Sequence, residues 1–194
     1  MTGCTTRALA PEEFAAHTGA LGELLADTVA GGASLGFRQG LTPGEAADWW
    51  CSRAGAVARG ELTVRVALDA AGRCVGTVSL AFTALPNGRH RAEIAKLMVG
   101  RTARGGGLGR RLLSEAERDA RRAGITLLVL DTETDSAAEQ LYRRAGWTRA
   151  GQIPDYATDP AGALRPTTLY YKRLGAQDPL PSAAGAAAVG GGAQ

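Results

Sequence analysis

The segment Val99-Gly-Arg-Thr-Ala-Arg104-Gly-Gly-Gly-Leu-Gly109 joins a strand-like run to a helical one, and its residue types suit an anion. Glycines let backbone N–H groups approach a ligand closely, and the free N–H groups and positive dipole end of the following helix favour phosphate oxygens. Arg101, Arg104, Arg110 and Arg111 add mobile positive charge around the same mouth, which suits a ligand with several phosphates. No Gly-Lys-Ser/Thr follows, and the glycine spacing departs from the dinucleotide fingerprint. Two carboxylates stand near the loop in sequence. Asp131 closes the run Leu-Leu-Val-Leu-Asp, where partial desolvation would raise its pKa and make it a better base, although it could equally cap the next loop. Glu93 has the same ambiguity, with Arg89 and Arg91 available as salt-bridge partners. Lys96 lies in an otherwise apolar strand, a costly place for a charge. It either pairs with Asp131 or Glu93, or faces a cleft and holds a substrate carboxylate.

The elements that must position these groups follow from periodicity. A strand is expected at Thr5 to Leu9, then a helix entered at Pro11 with Glu12 and Glu13 in its first turn. A second helix starts at Thr42-Pro43 and runs through Trp49 and Trp50 toward Gly60, the Trp pair stapling it to the sheet rather than lining a cleft. Glu61 to Leu68 and Cys74 to Ala84 read as a hairpin, and Arg91 to Val99 as the strand that leads into the glycine loop. The helix after the loop carries the apolar stripe Leu108, Leu112, Ala116, Ala120, with Arg118, Arg121 and Arg122 pairing with Glu115 or Glu117 on an exposed face. A strand at Ile125 to Leu130 and a helix at Ala137 to Ala145 follow, with Ser136-x-x-Glu139 as its capping box. Ile153 to Arg165, with Asp155, Tyr156 and Asp159, reads as a loop that covers part of a substrate site, although ordinary loop chemistry explains its Pro, Asp and Gly equally well. This alternation predicts a mixed α/β domain over residues 1–174. The Gly/Ala/Pro-rich stretch 175–194 is expected to be a disordered tail.

The 194 residues are 45% apolar and 21% charged, enough for one buried core and against a wholly disordered chain. The net charge of +3 hides a bias, since Arg89 to Arg122 holds ten Lys/Arg against four acids. That window has no Phe, Tyr or Trp to stack bases, so nucleic acid is not expected as a partner. Cys4, Cys51 and Cys74 are scattered and odd in number, and His17 and His90 are isolated, so no metal is expected. No apolar run is long enough to span a bilayer and Met1 to Ala10 is not a secretory signal, so the expected compartment is cytoplasmic, with no membrane partner.

The pattern Arg104-x-x-Gly107-x-Gly109 resembles the acetyl-coenzyme A pyrophosphate loop of the GNAT N-acetyltransferases, which has the form Gln/Arg-x-x-Gly-x-Gly/Ala. Downstream, Asp135-Ser-Ala-Ala-Glu-Gln-Leu-Tyr142-Arg-Arg-Ala-Gly146-Trp147 resembles the family's Asn-x-x-Ala-x-x-x-Tyr-x-x-x-Gly-Phe, with Asp for Asn and Trp for Phe. In wording such as His90-Arg-Ala-Glu-Ile-Ala-Lys-Leu-Met-Val the chain is similar to the tabtoxin-resistance acetyltransferase branch. The resemblance implies the GNAT fold: a twisted, mixed, mostly antiparallel sheet with a central V-shaped splay, flanked by about four helices. It also implies acetyl-coenzyme A as cosubstrate and an amine of a small molecule as acceptor, in resistance or detoxification. The oligomeric state would be monomer or homodimer. Protein lysine or N-terminal acetylation is the alternative, and a non-catalytic acyl-coenzyme A sensor the next. The implied cosubstrate contacts are Leu97, Met98 and Val99 on the splayed strand, Arg104, Gly105, Gly106, Gly107, Leu108, Gly109 and Arg110 at the loop, and Asp135, Ala138 and Tyr142 beyond it. Tyr142 matches the tyrosine that protonates the leaving thiolate. Glu93 matches the general base of one branch, and Asp131, eleven residues before Tyr142, that of the tabtoxin-resistance branch; Asp131 is the preferred base.

Overall fold

In the computed structural model, residues 3–175 are described; of the expected tail only Gly175 falls within them, and the rest lies outside. The elements run β1 (Thr5–Ala8), α1 (Pro11–Ala30), α2 (Pro43–Cys51), α3 (Ala54–Ala58), β2 (Leu62–Leu68), β3 (Cys74–Phe82), β4 (Arg91–Val99), α4 (Leu108–Arg122), β5 (Leu127–Glu133), α5 (Ala137–Arg144), β6 (Thr148–Thr158) and β7 (Leu164–Arg173). They build one seven-stranded sheet in the order β1-β2-β3-β4-β5-β7-β6. Only β4 and β5 are parallel; every other pair is antiparallel. The mixed α/β expectation therefore holds, with four helices of eight residues or more and the short α3.

Each sheet face carries its own core. On one, α1, α2 and α3 bury Phe14, Leu21, Leu25, Trp50 and Val57 against Val64, Val66 and Met98. On the other, Leu108, Leu112, Leu113, Ala116 and Ala120 of α4 cover Val78, Leu80, Ile94 and Leu128, confirming the stripe read from spacing. Arg65 of β2 fastens α4 to the sheet through Glu115 (2.8 Å) and Asp119 (2.6 Å). Glu115 and Glu117 are buried, so the α4 face expected to be solvated is partly an interior one. Arg118 does reach Glu115 (3.6 Å), but Arg122 pairs with Asp119 (3.4 Å).

Helices α1 and α2 cross at Gly22, where a Cβ would lie 2.6 Å from the Ala47 nitrogen and 2.7 Å from the Pro43 carbonyl oxygen. Backbone cannot yield as a side chain does, so Gly22→Ala is expected to cost about 3 kcal/mol, the upper end for overpacking. Urea unfolding would register this as a lower midpoint at unchanged slope. An undiminished midpoint would mean that the two helices can separate freely.

Three expectations need correction. The second helix does not run to Gly60: it ends at Cys51, where the Ser52 hydroxyl donates to the Trp49 carbonyl (2.7 Å) and Arg53 N–H closes a tighter turn on Trp50 (2.9 Å), before α3 restarts. Ile153 to Arg165 is not a loop but the two arms of the β6–β7 hairpin. The arms re-pair at Ala157 and Arg165 after a slip spanning Pro154, which has no N–H, and Asp155, at φ 49°. Third, β5 continues to Glu133, so Asp131 pairs with Leu169 inside a strand rather than ending one.

Candidate active site

Strands β4 and β5 share only three register pairs, Arg91 with Leu127, Ala92 with Leu128 and Glu93 with Val129, and then part. On the opposite edge of β4, Thr77 faces Met98 and Ser79 faces Ala95, so Lys96 and Leu97 together oppose Val78. This bulge puts Lys96 at φ 50° and bends the strand away from β5. Past Glu93 the β5-facing edge of β4 has no ladder partner, and its backbone groups are free for a ligand. The gap is a cleft of about 800 Å³.

One wall holds the glycine loop. Gly105 (φ 81°) and Gly107 (φ 77°) take left-handed conformations that other residues rarely adopt, and Gly107 leads into α4 without a side-chain cap. The first helical bond is Arg111 N–H to the Gly107 carbonyl (3.0 Å), so the N–H groups of Leu108, Gly109 and Arg110 precede the helix ladder. These donors, at a positive helix end with Arg104 and Arg110 beside them, fit a phosphate-bearing ligand. Arg101 and Arg111 are engaged elsewhere: Arg101 with Asp27, and Arg111 with Glu115 (3.2 Å) and the Cys4 carbonyl (2.9 Å). Arg104 Nε–H donates to the Val99 carbonyl (3.0 Å), tying the loop to β4.

Of the predicted contacts, Leu97, Met98, Val99, Arg104, Gly105, Gly107, Leu108, Gly109, Arg110, Ala138 and Tyr142 line this cleft, as do Glu93 and Asp131. Gly106 and Asp135 do not. Asp135, at φ 62°, lines a neighbouring hollow with Glu139, Arg143 and Tyr170. Its N–H donates to Glu139 (2.6 Å), so that carboxylate reaches past the cap residue and the expected capping box is only half formed: Ser136 Oγ accepts from Glu139 N–H (3.1 Å).

Asp131 is exposed, so the partial desolvation expected of a carboxylate ending an apolar strand does not set it apart from Glu93. Its Oδ2 accepts from the Thr167 hydroxyl (3.0 Å), a buried partner that sequence reasoning missed because only the β5–β7 register brings it near. Glu93 is exposed as well and lines the same cleft. Partial desolvation by the cleft walls, then the negative charge of Asp131, push its carboxyl up, with Lys96 opposing. Tyr142 is buried, its ring edge-on to Trp147 at 5.9 Å. Burial first, and Asp131 second, push its phenol well above the ordinary range, so it stays protonated. Trp50 is fully buried, as a staple should be, but Trp49 stands with Phe37 against the Lys96 ammonium, 5.1 and 5.9 Å from the ring centres.

Helix α5, which carries Tyr142, is pinned at both ends by buried glutamates. Glu139 accepts from the Tyr170 hydroxyl (2.8 Å) near the start. At the far end Lys172 bridges both oxygens of Glu117 (2.8 Å each) and the Ala145 carbonyl (2.8 Å), while Trp147 Nε1–H donates to Glu117 (2.9 Å). Removing one partner strands the other charge, so Glu117→Ala is expected to destabilise the fold by about 3 to 5 kcal/mol. Thermal or denaturant unfolding would show it, and a loss under about 1 kcal/mol would mean that Lys172 finds water instead.

The sequence matches the profile of the acetyltransferase (GNAT) family over residues 33–147, more than half of the chain. The chain belongs to that family. Its fold is similar to ribosomal-protein-alanine N-acetyltransferase from Brucella melitensis, at 26% identity and a TM-score of 0.70 over 88% of this chain and 99% of that one. It is also similar to yncA from Salmonella typhimurium, solved with its cofactor acetyl-CoA, at 24% identity and a TM-score of 0.69 over 94% of this chain and 99% of that one. In sequence it is 42% identical over 69 residues to an IAA acetyltransferase from Azospirillum brasilense, covering 35% of this chain and 45% of that protein. The chain thus spans under half the length of that relative. Among the described residues there is no cluster that could hold a metal ion, and no helix is long and apolar enough to cross a membrane.

Proposed function

We infer that the protein transfers an acetyl group from acetyl-coenzyme A to the amine of a small molecule by direct attack. The observation that carries this reading is the single cleft in which β4 and β5 part, with the helix-end donors at one side and Glu93, Asp131 and Tyr142 facing its middle. The cosubstrate supplies an acetyl thioester and a thiol leaving group. Gly105 and Gly107 to Arg110 hold its phosphates, and the unpaired edge of β4 holds its arm and polarises the carbonyl. Glu93 takes the proton from the attacking amine, directly or through water, and the Tyr142 hydroxyl donates to the departing sulfur. Desolvation first, and then the charge of Asp131, whose carboxylate accepts from Thr167, keep the Glu93 carboxyl basic.

The small acceptor is favoured because two segments that line the cleft, at Gly36 and at Arg165, are joined beside it: Gln39 N–H donates to the Pro160 carbonyl (2.8 Å), tying the α1–α2 loop to the β6–β7 turn. A detoxifying or resistance role accords with the likeness to the tabtoxin-resistance branch. The Brucella structure's name supports a second reading, acetylation of a protein N-terminus. Coenzyme A thiol release across small amines, aminoglycosides, a lysine peptide and an alanine-ended peptide tests both. Release with small amines supports the first reading, release with peptides alone the second, and acetyl-coenzyme A binding without release on any acceptor leaves only a binding module.

A further inference from the structure

Lys96 is half-buried at the cleft wall, and its ammonium makes no ion pair or hydrogen bond to any described residue. The rings of Trp49 and Phe37 attract the cation without using its three N–H donors. A partly desolvated ammonium with unused donors is costly, and here it is also carried on a non-glycine residue at φ 50°. Glu93 and Asp131 are near enough to oppose the effect of burial on this group, but neither forms a bridge with it. This part of the cleft therefore shows an unpaired ammonium beside two carboxylates. An ammonium group would be drawn to the carboxylates; a carboxylate attached to the same molecule would be repelled by them unless it met Lys96.

We propose that Lys96 binds a carboxylate of the acceptor, so that the acceptor is an amino acid or a close zwitterionic analogue whose amine faces Glu93. The proposal rests on the acetyl-transfer reading and adds to it the chemical class of the acceptor. Of the other cations near this end, Arg165 is already paired with Asp159 (2.9 Å), and Arg53 stacks on the Trp49 ring (5.1 Å) and donates to Ser52 without lining the cleft. Lys96 is thus the group with donors to spare.

The test measures kcat/KM by thiol release for the proteinogenic amino acids, each beside its carboxamide, with wild type, Lys96→Met and Lys96→Arg. For the amino acids that react, the acid is expected to exceed its amide by about 30-fold, the worth of a hydrogen bond between charged partners. Lys96→Met should bring that ratio to parity or invert it, because Glu93 and Asp131 then repel the carboxylate unopposed. Lys96→Arg should keep a preference for the acid. Equal rates for acid and amide in wild type, or equal losses on both in Lys96→Met, overturn the proposal, as does the absence of release with every amino acid. Release with simple amines or peptides in the same assay would leave the acetyl-transfer reading standing while this inference fell.

Discussion

Tyr142→Phe is expected to lower kcat by about 100-fold while the KM for acetyl-coenzyme A stays within about threefold. The substitution removes one oxygen and leaves the ring, which packs edge-on to Trp147 at 5.9 Å and tilted to Tyr170 at 6.5 Å. Burial and the Asp131 charge keep the hydroxyl protonated, so a donor is present throughout the neutral range. The same effect sets the size of the loss. A free thiol has a pKa of about 8.5, so a phenol held well above its usual pKa of about 10 yields its proton to a thiolate only uphill. In the proposed mechanism Tyr142 would act mainly by stabilising the developing charge on sulfur through a hydrogen bond, which places the expected loss at the low end of the range for general acids. Stopped-flow or steady-state thiol release would measure it. An unchanged kcat would reduce Tyr142 to a packing residue and remove the acid from the mechanism.

Glu93→Gln should produce two opposite effects. As a base, Glu93 must be ionised, so kcat/KM of wild type rises with pH through a carboxylate pKa displaced upward by burial and by Asp131. The Gln variant should lose about 100-fold in kcat/KM and that limb with it. Stability should move the other way. The folded carboxyl holds its proton to higher pH than the unfolded one, so the native state binds more protons between the two pKa values. Stability then falls as pH rises through that window, and the deficit persists above it. Gln carries no charge, so the variant should unfold at a higher temperature than wild type near pH 7 and show little advantage in acid. Asp131→Asn separates the two carboxylates. With its repulsion gone, the Glu93 limb should move to lower pH and survive. If instead the limb vanished in Asp131→Asn and persisted in Glu93→Gln, Asp131 would be the base and the assignment argued here would be reversed.

The choice between Asp131 and Glu93 shows where sequence reasoning stopped. Glycine spacing and apolar period are local properties, so Arg104-x-x-Gly107-x-Gly109 and the stripe from Leu108 to Ala120 could be read without the fold, and both stand where they were expected. The desolvation of a carboxylate is not local. Asp131 follows an apolar run and looks buried, yet β5 extends past it and leaves it exposed; Glu93 is exposed too, and the two line one cleft, so what surrounds each carboxylate is set by elements distant in the chain.

The chain by itself determined the family motifs, the glycine loop at the start of a helix and which tyrosine and carboxylates were candidates, because each depends on residue type and short spacing. Tertiary structure decided where β4 and β5 part, since the bulge at Lys96 and Leu97 appears only in register with β3. It also decided that Trp49 and Phe37 flank Lys96, that Thr167 holds Asp131, and that the α1–α2 loop meets the hairpin turn at Pro160. These contacts join residues far apart in the chain. Their geometry depends on how sheet, helices and loops pack together, a quantity that no local pattern of residues encodes.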